Sequence, residues 1–232
     1  MKSDFKGVIT STEKKFIDNL YKDSIVQKFL QDLNVFSLKY VAAMHETETK
    51  LKILNEDFKI RYNRTPIEQI ETRIKTPESL IKKMLRNELP FTLHALENNI
   101  FDVAGIRVVC SFISDIFTIV DMIRDNPEFK VLKEKDYINN PKPSGYRSYH
   151  MIVKVPIYLT TGQEDVIVEI QIRTMAMDFW ASLEHKIKYK YDGIIPEDVQ
   201  EELVNCSNSI TECDNKMMNL NNIVQNIKNE EV

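Results

Sequence analysis

The spacing of apolar residues along this chain changes twice, and the changes divide it into three parts. From about residue 12 to 62, Phe16, Leu20, Val41, Met44, Leu51, Leu54 and Phe58 recur at helical spacing. Their background is charge-rich and free of glycine and proline, which predicts two helices with a break near Asn34. "IEQIETRIKT" then alternates with period two, a strand that sets Glu71, Arg73 and Lys75 on one face. Thr76 suits an N-cap and Pro77 a first helical position, opening a helix to about Glu88. "VAGIRVVCSF" reads as a buried strand, "SDIFTIVDMIRDN" as a helix and "FKVLKEKD" as a further strand. "SYHMIVKVPIYL" and "EDVIVEIQIRT" form an antiparallel pair turning at Thr161 and Gly162.

A helix from about Met175 to Tyr191 follows, with Phe179, Leu183 and Ile187 assigned to the core and Trp180 to packing. In the last helix, from Pro196, Val199, Cys206, Cys213, Leu220 and Ile227 recur every seven residues, with Leu203, Ile210, Met217 and Val224 between them. Such a heptad seam packs either on the N-terminal helices of its own chain or on another subunit. The predicted fold class is α/β (α+β), a mixed sheet flanked by helices with long helices at both ends. The parts are N-terminal helices (1–64), a mixed core (65–193) and a heptad-patterned helix (194–232).

Composition narrows the chemistry. A 232-residue chain with 43% hydrophobic and 28% charged residues suits a soluble globular protein. A net charge of -4 argues against a long nucleic acid gripped by its phosphates and leaves a small polyphosphate held by local cations. No apolar run approaches a membrane span and the N-terminus has no h-region, so a cytoplasmic protein without a membrane partner is expected. Cys110, Cys206 and Cys213 form no CxxC and are expected as reduced, partly buried thiols. With no HExxH or Cys/His cluster, a metal must rest on carboxylates, as Mg2+ or Mn2+ does.

Two carboxylates stand out. Glu169 shares the polar face of "VIVEIQIRT" with Gln171 and Arg173, opposite Val166, Val168, Ile170 and Ile172. Asp102 opens the most apolar strand, with Gly105 and Arg107 beyond it. Taken singly, these are a solvent-facing sheet surface and a turn residue. On neighbouring strands they would hold one hard cation against polyphosphate oxygens. Ser79, Lys83 and Arg86 share one helical face, with Arg73 and Lys75 just before its N-terminus, where anions are favoured. The loop "NPKPSGYRSYH" gathers Lys142, Ser144, Tyr146 and His150 around Gly145, and an exposed Tyr146 ring there offers a stacking surface for a purine. His150 reads either as a hydrogen-bonded strand histidine or as a ligand for phosphate or hydroxyl. Asp178, Ser182 and His185 share a face of the following helix.

"RIKTPESLIKKM", "DVAGIRVVC", "NPKPSGYRSYH" and "VEIQIRTMAMDFWASLEHKIKYKY" together resemble the RelA/SpoT-type alarmone synthetases in order and spacing, from Pro66 to Gly193. The chain is most similar in kind to the stand-alone small synthetases of Firmicutes. The resemblance implies a nucleotidyltransferase-like sheet and transfer of the β,γ-pyrophosphate of ATP to the 3′-hydroxyl of GDP or GTP, as a GTP pyrophosphokinase. It implies ATP on Arg73, Lys75, Ser79, Lys83, Arg86 and Arg107, with Arg73 and Arg107 flanking the adenine. Asp102 and Glu169 would hold Mg2+, Glu169 as ligand, base or both. Tyr146 would stack on guanine, with Lys142, Ser144, His150, Gln171 and Asp178 at the same acceptor site.

Asp178 departs from the asparagine frequent among relatives, and an acid there bears on acceptor preference. "KEKD" (Lys133 to Asp136) resembles the basic variant of a charged motif and assigns no substrate. Without a His-Asp pair, synthesis without hydrolysis is expected. Relatives also imply a homotetramer and regulation by the alarmone or by single-stranded RNA. A pyrophosphokinase acting on the 3′ end of tRNA and a non-catalytic RNA-binding module are the alternative readings, and the choice among GMP, GDP and GTP is open.

Overall fold

The computed structural model describes residues 23–190 and 195–230. Helix α1 (Ser24–Tyr62) is capped by Asp23, which accepts from the Ile25 amide at 2.7 Å, and ends at Asn63 with φ 52°. It is one continuous helix, so the break predicted near Asn34 does not occur. An asparagine costs only about half a kcal/mol in a helix relative to alanine. Burial of Leu33 and Tyr40 on either side of it outweighs that. The Phe16 and Leu20 positions lie outside the described residues, as does the predicted helix end at Tyr191.

Five strands follow as β1 (Ile67–Ile74), β2 (Ala104–Cys110), β3 (Lys130–Asp136), β4 (Tyr149–Leu159) and β5 (Gly162–Thr174). They form one mixed sheet in the order β1-β2-β5-β4-β3. Only β2 and β5 run parallel; the other neighbours are antiparallel. One face is apolar: Ala104, Ile106, Val108, Met151, Val153, Val168, Ile170 and Ile172 are all buried, in one cluster with Phe29, Leu33, Tyr40 and Leu51 of α1. α1 runs across four of the five strands, β1, β2, β5 and β4. The other face is left for chemistry.

The remaining helices set the rim. Thr76 caps α2 (Pro77–Arg86) by accepting from the Ser79 amide, and Pro77 fits the first turn because its missing N–H would have no partner there. Leu80, Ile81 and Met84 are buried, which turns Ser79, Lys83 and Arg86 away from the core. A seven-residue helix α3 (Leu93–Asn99), capped by Thr92, was not predicted, being too short for periodicity to register. In α4 (Ile113–Asp125) the fully buried Asp115 accepts from the Phe112 amide at 3.2 Å and pairs with Arg64.

Two expectations fail in α5 (Met175–Lys190) and α6 (Glu197–Glu230). Phe179, Leu183 and Ile187 are exposed, at 60%, 39% and 44%, not core. The phase of α5 is set instead by Met177 and Trp180, both buried, and the Trp180 indole donates to the Leu203 carbonyl at 2.9 Å. α6 packs on α4 and α5 through a partly polar side, with Ser207 and Asp214 buried and Thr211 half-buried. Met217, Leu220, Val224 and Ile227 of the heptad seam point outward. Packing of the seam on the N-terminal helices of the same chain therefore finds no support among the described residues. Cys206 and Cys213 are exposed on that side, contrary to expectation, while Cys110 is buried. No helix among the described residues is long and apolar enough to cross a membrane.

Asp214 accepts from the Thr174 hydroxyl at 2.5 Å, and burial raises its pKa, the hydroxyl offsetting this in part. A carboxyl raised in the folded state favours the protein below the unfolded carboxylate range and costs stability as pH rises through its folded value. Asp214→Asn retains an oxygen for Thr174 and removes the charge. Its melting temperature is expected to exceed that of the parent at pH 7 by about 2–4 °C, for a gain near 1 kcal/mol. The difference should vanish below about pH 4. Thermal melts at the two pH values check this.

Candidate active site

Register carries the site across the sheet. Arg73 of β1 pairs with Gly105 of β2, Gly105 with Glu169 of β5, Glu169 with Ile152 of β4, and Ile152 with Lys133 of β3. One step along, Glu71, Arg107, Gln171, His150 and Lys135 are paired in the same order. Residues directly opposite on neighbouring strands share a face. The first row thus presents cations at both edges, Arg73 and Lys133, with Glu169 at its centre, and the second runs from Glu71 and Arg107 to Lys135. Gly105 lies between Arg73 and Glu169; a Cβ there would meet only the Arg73 carbonyl, at 3.8 Å. Its lack of a side chain leaves the middle of the sheet clear.

On the α2 side, Lys75 and Lys83 converge on Asp102. Their ammonium groups donate to Oδ2 at 2.7 Å and to Oδ1 at 2.8 Å. Burial opposes ionisation of Asp102, but the two lysine bonds outweigh it and hold the carboxyl below the usual range. Ser79 Oγ lies 2.9 Å from Thr76 Oγ1, at the mouth of α2. Arg73 and Arg86 are exposed and reach no partner among the described residues. Arg107 donates to Glu71 at 2.9 Å and lies 3.4 Å from Asp178, and its buried Nε has no partner.

On the loop side, five side chains close a hydrogen-bonded ring. Arg173 donates to the Tyr146 hydroxyl at 3.0 Å and to Gln171 Oε1 at 2.9 Å. Tyr146 Oη lies 2.8 Å from His150 Nε2, His150 Nδ1 lies 3.1 Å from Glu169 Oε1, and Gln171 donates to Glu169 Oε2 at 2.9 Å. An ionised carboxylate only accepts, so His150 carries its proton on Nδ1 and, when neutral, takes the Tyr146 proton at Nε2. Burial raises the pKa of Glu169, but the bonds from His150 and Gln171 prevail and keep it below the usual range. Arg173 is 3% exposed, and burial lowers its pKa. Asp178, 3.2 Å away, supplies the counter-charge such a buried guanidinium requires.

Tyr146 is not the exposed ring the sequence predicts. It is partly buried, burial raises its phenol pKa, and Lys142 and Arg173 stand 4.8 and 5.5 Å from its centroid. Lys142 is also 4.8 Å from the centroid of Tyr137, whose ring packs edge-on against His150. Ser148 is fully buried and donates to the Ile172 carbonyl, so it serves the strand. Ser144 stays in the loop, half-buried.

A cleft of about 190 Å³ brings Asp102, Glu169, Lys83 and His150 together with Lys133, Lys135, Asn99 and Phe101. Of these the sequence reading gave no role to Lys133, Lys135, Asn99 or Phe101, nor to Tyr137 and Arg173 beside them. The period-two alternation of "KEKD" would have flagged both lysines. Asn99 and Phe101 depend on α3, which left no signal. Among the described residues no three metal-binding side chains cluster. Two carboxylates facing one cleft, without thiol or imidazole pairs, suit a hard cation that takes its remaining oxygens from phosphate and water.

Residues 72–194 match the family described as "Region found in RelA / SpoT proteins". The chain is 40% identical over 183 residues to the GTP pyrophosphokinase YwaC of Bacillus subtilis, covering 79% of this chain and 87% of that one. The fold is similar to the small alarmone synthetase 1 of Bacillus subtilis bound to its product pppGpp, with TM-score 0.78, 37% identity, and 84% and 99% of the two chains covered. The same Bacillus subtilis enzyme bound to AMPCPP is matched with TM-score 0.72, 35% identity, and 84% and 99% coverage. The mixed sheet, the paired carboxylates in one cleft and these likenesses agree: the chain belongs to the RelA/SpoT family, as a GTP pyrophosphokinase of the small alarmone synthetase type.

Proposed function

We propose that this enzyme transfers the β,γ-pyrophosphate of ATP to the 3′-hydroxyl of GDP or GTP, giving guanosine tetra- or pentaphosphate and AMP. The observation that carries the reading is the polarity of the cleft. Lys75 and Lys83 on Asp102 lie on one side, the Tyr146 loop on the other, and the ionised Glu169 between them. The ligands in the related structures, pppGpp and AMPCPP, are the nucleotides such a cleft would need.

ATP takes the α2 side. Its phosphates offer Lys75 and Lys83 the anionic oxygens that Asp102 now supplies, with Ser79 and Arg86 completing the cradle and Arg73 and Arg107 beside the adenine. Asp102, released from the lysines, and Glu169 are the residues that would hold Mg2+ or Mn2+. That ion supplies neutralisation of phosphate charge. The guanine nucleotide enters at the loop, with Lys142 moving off the Tyr146 ring so that the base can stack there, and with Ser144, His150, Gln171 and Asp178 around it. The acceptor O3′ forms a bond to Pβ as the bond from Pβ to the oxygen bridging to Pα breaks, and AMP leaves with that oxygen. Glu169 accepts the hydroxyl proton; a carboxyl held below its usual range is a weak base, so its larger contribution is orientation, as the His150 and Gln171 bonds fix both its oxygens. The outward heptad seam supports self-association, for which a homotetramer is the family precedent.

Incubation of the purified protein with γ-labelled ATP, magnesium, and GMP, GDP, GTP or tRNA separately should label GDP or GTP. Labelled tRNA alone would overturn the reading. Glu169→Gln keeps the shape and removes the charge, and should lower kcat by at least about 10²-fold. Gly105→Val suits a strand and should leave the melting temperature within about 2 °C, yet it places two methyls between Arg73 and Glu169. Loss of product with an intact melt is expected; a fully active Gly105→Val would remove Gly105 from the substrate's path.

A further inference from the structure

We propose that Ser207, on the C-terminal helix, is a positioning residue for the acceptor loop and sets the affinity for the guanine nucleotide. The inference rests on the reading that this loop receives that nucleotide.

The loop between β3 and β4 closes on itself through two backbone bonds. The Gly145 amide donates to the Lys142 carbonyl at 2.8 Å, and the Lys142 amide to the Tyr146 carbonyl at 3.1 Å. The Gly145 carbonyl is directed to α6, where Ser207 Oγ donates to it at 2.5 Å. Ser207 is 4% exposed, and this bond crosses 62 residues of sequence. The Gly145 carbonyl and the Tyr146 amide belong to one planar peptide, so fixing one fixes the direction in which the Tyr146 side chain leaves the backbone. Gly145 has φ 87°, which disfavours any other residue, and a Cβ on it would stand 2.9 Å from Ser207 Cβ and 3.4 Å from Val204 Cα. Loop and helix are in backbone contact at this point.

The helix is itself held in register from the site. Thr174 ends β5, the strand of Glu169, Gln171 and Arg173; its hydroxyl donates to Asp214 at 2.5 Å and accepts from the Met177 amide at 3.1 Å. Trp180 holds the Leu203 carbonyl one turn before Ser207. α6 thus ties the loop that presents Tyr146 to the strand that presents Glu169, and Ser207 is the contact on the loop side. By contrast, Lys142 and Pro143 at the loop tip are exposed, and nothing else outside the loop and its flanking strands holds the peptide before Tyr146 among the described residues.

Ser207→Ala removes the hydroxyl and nothing else. With ATP and GDP as substrates, KM for GDP is expected to rise about fivefold, the worth of one buried hydrogen bond, with KM for ATP within about twofold. Amides of residues 140–150 should exchange with deuterium faster than in the parent. Ser209→Ala, on the exposed side of the same helix, should match the parent in every respect. An unchanged KM for GDP in an active parent, equal rises for both substrates, or unaltered exchange would overturn the proposal. Faster exchange in Ser207→Ala, with a parent that does not use guanine nucleotides, would leave Ser207 ordering the loop and remove the nucleotide from the assignment, a failure of the functional reading alone.

Discussion

The site depends on the parallel register between β2 and β5. In an otherwise antiparallel sheet, this one pairing sets Gly105 opposite Glu169 and Arg107 opposite Gln171. The cations near α2 and the hydrogen-bonded ring around Tyr146 then meet across a single strand spacing of about 4.8 Å. A slip of one residue would turn Glu169 into the apolar face and Ile170 into the cleft. That error is strongly opposed, because Val168, Ile170 and Ile172 are each fully buried and an aliphatic side chain loses roughly 1.5–3 kcal/mol on full exposure. The same apolar burial that holds the fold together therefore also aims the carboxylate.

Around that register the charges compensate each other locally. Asp102 holds two lysines, Asp178 stands between Arg107 and Arg173, and Glu169 takes two hydrogen bonds. Burying an unpaired charge costs several kcal/mol, so these groups exist as paired sets or not at all. Under the proposed function the pairing also serves binding: each lysine on Asp102 would meet phosphate already oriented, and exchange of carboxylate for phosphate oxygen would need little further ordering of the side chain. The acid at position 178 fits this balance: its charge is engaged by two guanidinium groups, so it does not stand as a free anion.

Much of this was legible in the sequence because it follows short-range rules. Alternation gave β1, β4, β5 and the shared face of Glu169, Gln171 and Arg173; Thr76-Pro77 gave the start of α2. The paired carboxylates of Asp102 and Glu169 followed once their strands were taken as neighbours. What failed depends on tertiary phase. A continuous α1 across Asn34 needs the sheet beneath it, and the exposure of Phe179 needs α6 to have claimed Trp180. The Tyr146 ring is drawn in by Arg173, a partner 27 residues away whose side chain the alternation placed but could not aim.

The C-terminal helix carries the last consequence. An amphipathic helix usually buries its apolar stripe in its own domain, whereas α6 presents Ser207, Thr211 and Asp214 to the fold and leaves Met217, Leu220, Val224 and Ile227 in water. Its inward side gains directional hydrogen bonds, each worth about 1 kcal/mol net, and the partial burial of Leu203, Val204 and Ile210. A helix attached in this way is placed accurately but held weakly. Its largest unspent contribution lies on the outward seam, where covering the four side chains would add more than the inward bonds do. Accurate placement suits a helix whose inward side touches the Tyr146 loop at Gly145 and the Glu169 strand at Thr174, since small shifts of α6 would be felt at both.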